Sequence, residues 1–238
     1  MTESSEVLTV KIRKERGPFL WLLLAQVFFI SITPLVADTG PGWAFLLAGV
    51  FAIITAGIFA ARDRRSSLIV SVIFFMPAVF AWLGPDLLTD RLDDLFRLFS
   101  AAICFLFTSA VVLRSISRHV EVTRETILGG INVYLLLAFA FMMLHATIMI
   151  AWPDAYLLNG TPLKQQFAAD QDSRGFATVL YFSFTTLTTL GYGDITPVHA
   201  GARLLTSVQA VVGQLYVAIF IARLVSLEVS QRALRRNP

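Results

Sequence analysis

Residues 181–197 read Tyr181-Phe182-Ser183-Phe184-Thr185-Thr186-Leu187-Thr188-Thr189-Leu190-Gly191-Tyr192-Gly193-Asp194-Ile195-Thr196-Pro197. The apolar, hydroxyl-rich part, Phe176–Thr188, is about 20 Å long as a helix. A bilayer's hydrocarbon core is about 30 Å thick, so this helix reaches only part-way across. Backbone that re-enters a membrane is tolerated where protein buries it or where it lines a watery cavity. A half-helix at this place therefore predicts a pore or a buried vestibule.

Working outward, the surrounding sequence supplies the membrane. The chain of 238 residues is 56% hydrophobic and 15% charged, with 20 phenylalanines. That balance is too apolar for an ordinary soluble domain. Six apolar runs approach the length of about 20 residues that a spanning helix needs. They are Phe19–Val36, Trp43–Ala61, Ser67–Leu83, Leu95–Leu113, Ile131–Ala151 and Ala202–Leu227. Breakers separate the first four: Asp38-Thr39-Gly40-Pro41-Gly42, Arg62-Asp63-Arg64-Arg65 and Gly84-Pro85-Asp86. The single cysteine, Cys104, lies in an apolar run and excludes an internal disulfide framework. No paired catalytic carboxylates, HExxH or nucleophile–base set occurs in the spans, which argues against an enzyme.

Basic residues set the orientation. Lys11, Arg13, Lys14, Arg16, Arg62, Arg64, Arg65, Arg114, Arg118, Arg124, Arg223, Arg232, Arg235 and Arg236 fall on one side of a six-span path. Arg91, Arg97, Lys164, Arg174 and Arg203 fall on the other, where the loop after the third span is acidic (Asp86, Asp90, Asp93, Asp94). Both termini are predicted cytoplasmic, in a multi-pass protein of the cell membrane. Span five is predicted to start early. Thr123 suits an N-cap and Glu125 suits the first turn, which makes Arg124–Ala151 one helix. Pro153–Arg174 reads as polar and irregular.

TTLGYGD, residues 188–194, placed after a half-helix and before a last span, resembles the selectivity filter of the potassium channel family. The resemblance covers Arg124–Glu228; it reaches the first four spans only through the six-span count. It implies an all-α membrane protein: six transmembrane helices, a re-entrant pore helix at 176–188 and a filter at 189–194. Residues 1–18 and 229–238 would be cytoplasmic, 19–113 a four-helix peripheral domain, 114–130 a linker with the start of helix five, and 131–228 the pore domain. In that family, rings of backbone carbonyls from four chains replace the shell of water that potassium sheds. The resemblance assigns those carbonyls to Thr189, Leu190, Gly191 and Tyr192, with the Thr189 hydroxyl innermost. Gly191 and Gly193 supply backbone angles that a Cβ resists. One motif per chain implies a homotetramer. Leu190 replaces the family's usual valine. Asp194 marks the outer mouth, Tyr181 stands where the family places its aromatic donor, and Thr185 stands where some relatives carry a glutamate. Gly213, twenty residues after Gly193, resembles the hinge glycine of the inner helix. Gln214, Val217, Ile221 and Val225 then share a face expected to line the cavity and inner gate. The only metal implied is the permeant K+; no cofactor and no nucleic acid is.

Regulation is less legible. The fourth span has Arg97 near its start and no further basic residue until Arg114, so the repeat of arginines a voltage sensor needs is absent. The inner arginines suit anionic lipid head groups or ordinary topology. Arg223, in an apolar stretch, suits snorkelling, lipid, or Glu228 of a neighbour. Among the histidines His119, His145 and His199, the intramembrane His145 reads as neutral and hydrogen-bonded. Asn159-Gly160-Thr161 matches a glycosylation pattern that the following Pro162 disfavours. The rival readings are a non-selective cation channel and a potassium transporter subunit.

Overall fold

A computed structural model describes residues 17–36, 42–60, 80, 90–118, 122–163 and 173–236. In chain order these form α1 (Pro18–Val36), α2 (Gly42–Ala60), α3 (Asp90–Ser117), α4 (Arg124–Ala151), β1 (Tyr156–Leu158), β2 (Thr161–Pro162), α5 (Ser173–Leu187), β3 (Ile195–Pro197) and α6 (Ala200–Arg236). Among the described residues, α1, α3, α4 and α6 are long and apolar enough to cross a membrane. The third expected span, Ser67–Leu83, lies outside the described residues apart from Phe80.

α3 begins five residues ahead of its apolar run, and the added turn carries Asp93 and Asp94. Acidic groups there suit the positive end of the helix dipole. α4 begins at Arg124 with Thr123 as its N-cap, whose hydroxyl accepts from Thr126 N at 3.2 Å. Buried hydroxyls in the spanning helices donate to the carbonyl four residues back: Thr33 to Phe29, Thr108 to Cys104 and Ser109 to Phe105. In this way an apolar helix carries a hydroxyl without an orphaned polar group.

The helix pair α3–α4 has the most extensive packing; α1 lies against α2, α4 and α5, and α6 against α4 and α5. Phe139 of α4 is the hub. Its ring stacks on Phe105 of α3 at 5.5 Å and meets Phe29 of α1 and Phe184 of α5 edge-on at 5.7 and 6.1 Å. Such pairs add about 0.5–1.5 kcal/mol each beyond the area they bury. Near the start of α4, adjacent glycines allow close approach on two sides. A Cβ on Gly129 would overlap Ile116 of α3, and one on Gly130 would overlap the Phe220 ring of α6.

Polar contacts between helix ends fix which ends share a side. Glu125, at the start of α4, accepts from Phe19 N at the start of α1 (3.5 Å), and Asn132 Nδ2 donates to the Phe19 carbonyl at 2.8 Å. Arg223, late in α6, donates to the Ser117 carbonyl at the end of α3 at 2.6 Å. At the opposite side, Arg91 of α3 donates to the Ala151 carbonyl at the end of α4.

The segment after α4 is not irregular throughout. β1, β2 and β3 form an antiparallel sheet in the order β2-β1-β3, with Leu158 facing both Thr161 and Ile195. Asn159 and Gly160 close the β1–β2 hairpin at φ 50° and 85°. Two positive φ values are what a two-residue type I′ turn requires, and Asn-Gly is its preferred pair. The fold is therefore mostly helical and not purely so.

Candidate functional site: an ion pathway mouth

α5 is a 15-residue helix, about 22 Å long. It ends beside α6, and its last carbonyls are bound by the chain's own return. Leu190 N and Gly191 N both donate to the Thr185 carbonyl, at 2.8 and 3.2 Å, and Thr189 N donates to the Thr186 carbonyl at 3.0 Å. Tyr134 of α4 donates its hydroxyl to the Leu187 carbonyl at 3.2 Å.

Beyond this anchor the backbone alternates. Thr189, Gly191 and Gly193 have φ of 58°, 52° and 82°, whereas Leu190 and Tyr192 do not have positive φ. Alternating left- and right-handed residues lets successive peptide carbonyls face one side and the N–H groups the other. The N–H groups at Leu190 and Gly191 are used on Thr185. Among the described residues, no hydrogen bond reaches the carbonyl oxygens of Thr189, Leu190, Gly191 or Tyr192. Leu190 and Tyr192 are 55% and 68% exposed on the protomer.

At the outer end, Tyr181 and Asp194 line one surface pocket, close enough that, beside the effect of desolvation, the carboxylate pushes the Tyr181 phenol up. The Tyr181 ring stacks on that of Tyr192 at 6.4 Å and 7°. The Asp194 carbonyl accepts from Asn159 N at 2.9 Å, so the hairpin turn holds the mouth from outside. Thr185 sits behind the turn. Its hydroxyl donates to the Phe182 carbonyl of its own helix at 3.0 Å, and its carbonyl takes the Leu190 and Gly191 N–H groups.

At the inner end, Gly213 packs against the end of α5. A Cβ there would overlap the Leu187 carbonyl oxygen, which is backbone and cannot swing aside. α6 runs as one helix through Gly213. The contact with Leu187 gives this glycine a packing role beside the hinge role that the resemblance implies. Val217, Ile221 and Val225 are 41%, 54% and 58% exposed, on the same side as Gln214.

A buried polar chain, invisible in sequence, ties these parts together. His145 Nε2 lies 2.7 Å from Gln209 Oε1, and His145 Nδ1 lies 2.7 Å from the Tyr156 hydroxyl. Gln209 Nε2 donates to the Ser183 carbonyl at 2.9 Å and to Ser183 Oγ at 2.8 Å, and Ser183 Oγ donates to the Ala138 carbonyl at 2.7 Å. The pattern has one neutral solution. Gln209 must direct its NH2 at the Ser183 carbonyl, so its Oε1 accepts and His145 carries its proton on Nε2. Nδ1 is then an acceptor and Tyr156 donates to it. Burial pushes the Tyr156 phenol up, so it keeps the proton it donates. α4, β1, α5 and α6 are thus joined at one buried histidine, which fits the neutral reading of His145.

The other outlying residues also find places. His199 Nδ1 accepts from Gly201 N at 3.2 Å and so caps the start of α6, and its ring stacks on Trp152 at 4.6 Å. Arg97 pairs with Asp94 at 3.5 Å and Arg232 with Glu228 at 2.9 Å. Arg223 donates to the Ser117 hydroxyl and carbonyl at the end of α3. His119, Lys164, Lys11, Arg13, Lys14, Arg16, Arg62, Arg64 and Arg65 lie outside the described residues.

Comparison with protein families matches part of the chain. A family model described as an ion channel matches residues 133–229, from α4 through most of α6. The match supports an ion channel family and, with the apolar helices, a membrane protein that conducts ions passively. Comparison with curated proteins gave no match, and neither did comparison with solved structures.

Proposed function

We propose that the chain is one subunit of a homotetrameric, potassium-selective channel of the cell membrane, with six spans and both termini cytoplasmic. The observation that carries this reading is the run of carbonyls at Thr189, Leu190, Gly191 and Tyr192. They are unpaired among the described residues and belong to a backbone of alternating handedness. These residues are exposed on the protomer; with copies packed around an axis their carbonyls would lose water, and there a run of four unpaired oxygens would need a ligand. A dehydrated cation on the axis of four copies is such a ligand, and a second copy beside each protomer would cover the exposed Leu190 and Tyr192.

In this reading Tyr181 and Asp194 brace the filter's outer end and Thr185 its inner end. Val217, Ile221 and Val225 line the cavity below Gly213. The inner arginines Arg114, Arg118, Arg124 and Arg232 stand ready for anionic lipid head groups. K+ is substrate and no cofactor is needed.

The test is current recording from purified protein in planar bilayers under opposed sodium and potassium gradients. The expected reversal potential follows the potassium gradient, and Gly191→Asp abolishes that preference while the protein still assembles. A reversal potential near zero in the unaltered protein would identify a non-selective cation channel instead.

A further inference from the structure

The exposed stripe of α6 below Gly213 is apolar at Val217, Ile221 and Val225 and carries an amide at its upper end, Gln214. Gln214 Nε2 donates to Thr189 Oγ1 at 2.8 Å. The hydroxyl proton is already committed, because Thr189 Oγ1 donates to the Thr188 carbonyl at 2.7 Å. Oγ1 can therefore only accept from Gln214, which fixes the amide with its NH2 toward the filter. Thr189 is also a β-branched residue at φ 58°, a region such residues avoid. Its side chain is held from two directions, and one lone pair of Oγ1 is left over.

We infer that Gln214 is a positioning residue for the innermost cation site. It locks the Thr189 hydroxyl so that the remaining lone pair faces an arriving ion. The inference rests on the reading of Thr189–Tyr192 as the filter and adds to it a part on another helix, 25 residues away. A hydroxyl that donates to one carbonyl and accepts from one amide cannot rotate, so the site meets the ion with its oxygens already placed. Without the amide, Oγ1 is free to turn, and cation binding at that ring must order it first.

Barium, a divalent ion close to potassium in size, is the probe, applied to reconstituted protein from the side of the α6 C-terminus. The potassium-to-sodium reversal potential of the unaltered protein is measured in the same membranes. Gln214→Leu is expected to weaken barium block about tenfold, the upper end of what one neutral hydrogen bond supplies. Gln214→Asn keeps an amide in the cavity but falls a methylene short of Thr189, and is expected to behave like Gln214→Leu. In a Thr189→Cys background, Gln214→Leu should add less than a twofold change, because the partner it positions is gone. Block by Gln214→Leu within twofold of wild type, wild-type block in Gln214→Asn, or full additivity in the double variant would each overturn the inference. If Gln214→Leu carries no current, barium binding to the purified protein by calorimetry gives the same comparison. A wild-type protein without potassium preference would instead overturn the filter reading.

Discussion

The peripheral helices and the pore module use polar groups in opposite ways. In α1 and α3 the buried hydroxyls bond within their own helix, four residues back. Each such helix is self-sufficient and could sit in lipid without its neighbours. From Arg124 onward such local bonds recur, as from Thr147 to Met143, but others join distant parts of the chain: Ser183 to Ala138, Gln209 to His145, Tyr134 to Leu187, and Tyr216 to the Gly130 carbonyl at 2.7 Å. The first arrangement supports a span, whereas the second sets the relative position of α4, β1, α5 and α6. The exception in the peripheral region sharpens the contrast. Gln26 of α1 is fully buried, and neither of its amide atoms has a partner among the described residues.

Four substitutions probe this difference. The largest loss is expected from His145→Leu, which leaves the Tyr156 hydroxyl and the Gln209 carbonyl oxygen buried and unpaired. Each orphan costs about 1–3 kcal/mol, so thermal unfolding of the detergent-solubilised protein should show a loss of about 2–6 kcal/mol. Potassium selectivity should fall with it; a stable, fully selective His145→Leu protein would break the claim that this network positions the filter. Gly213→Ala comes next, because even one methyl group meets the Leu187 carbonyl oxygen. Overpacking of this kind costs about 1–3 kcal/mol, read as a lower unfolding temperature and reduced current. Unchanged current would show that α6 can move off α5 freely, as a hinge does. Arg223→Ala removes a partly exposed guanidinium from the carbonyl end of α3 and should cost about 1 kcal/mol, measured by the same unfolding assay. Gln26→Leu should leave currents unchanged and stabilise the protein by about 1–2 kcal/mol, since it removes two orphaned polar atoms from an apolar core. Destabilisation by Gln26→Leu would mean that the amide has a partner in the membrane.

How much of this was legible in the sequence differs along the same divide. Hydropathy located α1, α2, α3, α4 and α6, because the need for an apolar length is local. The start of α4 was legible from Thr123 and Glu125, and the filter turn from glycines spaced two apart. The sheet was not, since strands of two and three residues carry no periodicity. The Asn159-Gly160 pair was its available signal, and it also fits a glycosylation pattern. Nothing local links His145 to Gln209, 64 residues away. Gly213 shows a further limit: a hinge and a tight contact both call for the smallest side chain, and no local pattern reveals the contact with Leu187. The bonds of Arg223 to the end of α3 were not legible, because they reach backbone carbonyls of another helix 106 or 107 residues away.

Only residues 118–123 separate the end of α3 from the start of α4, and those two helices share the most extensive packing in the chain. In a ring built from this protomer, each outer bundle would lean on the wall of its own quarter and trade no helix with the next. Any force on α3 would then reach α4 through their shared packing and through Arg91, and α6 through Arg223, all within the same polypeptide.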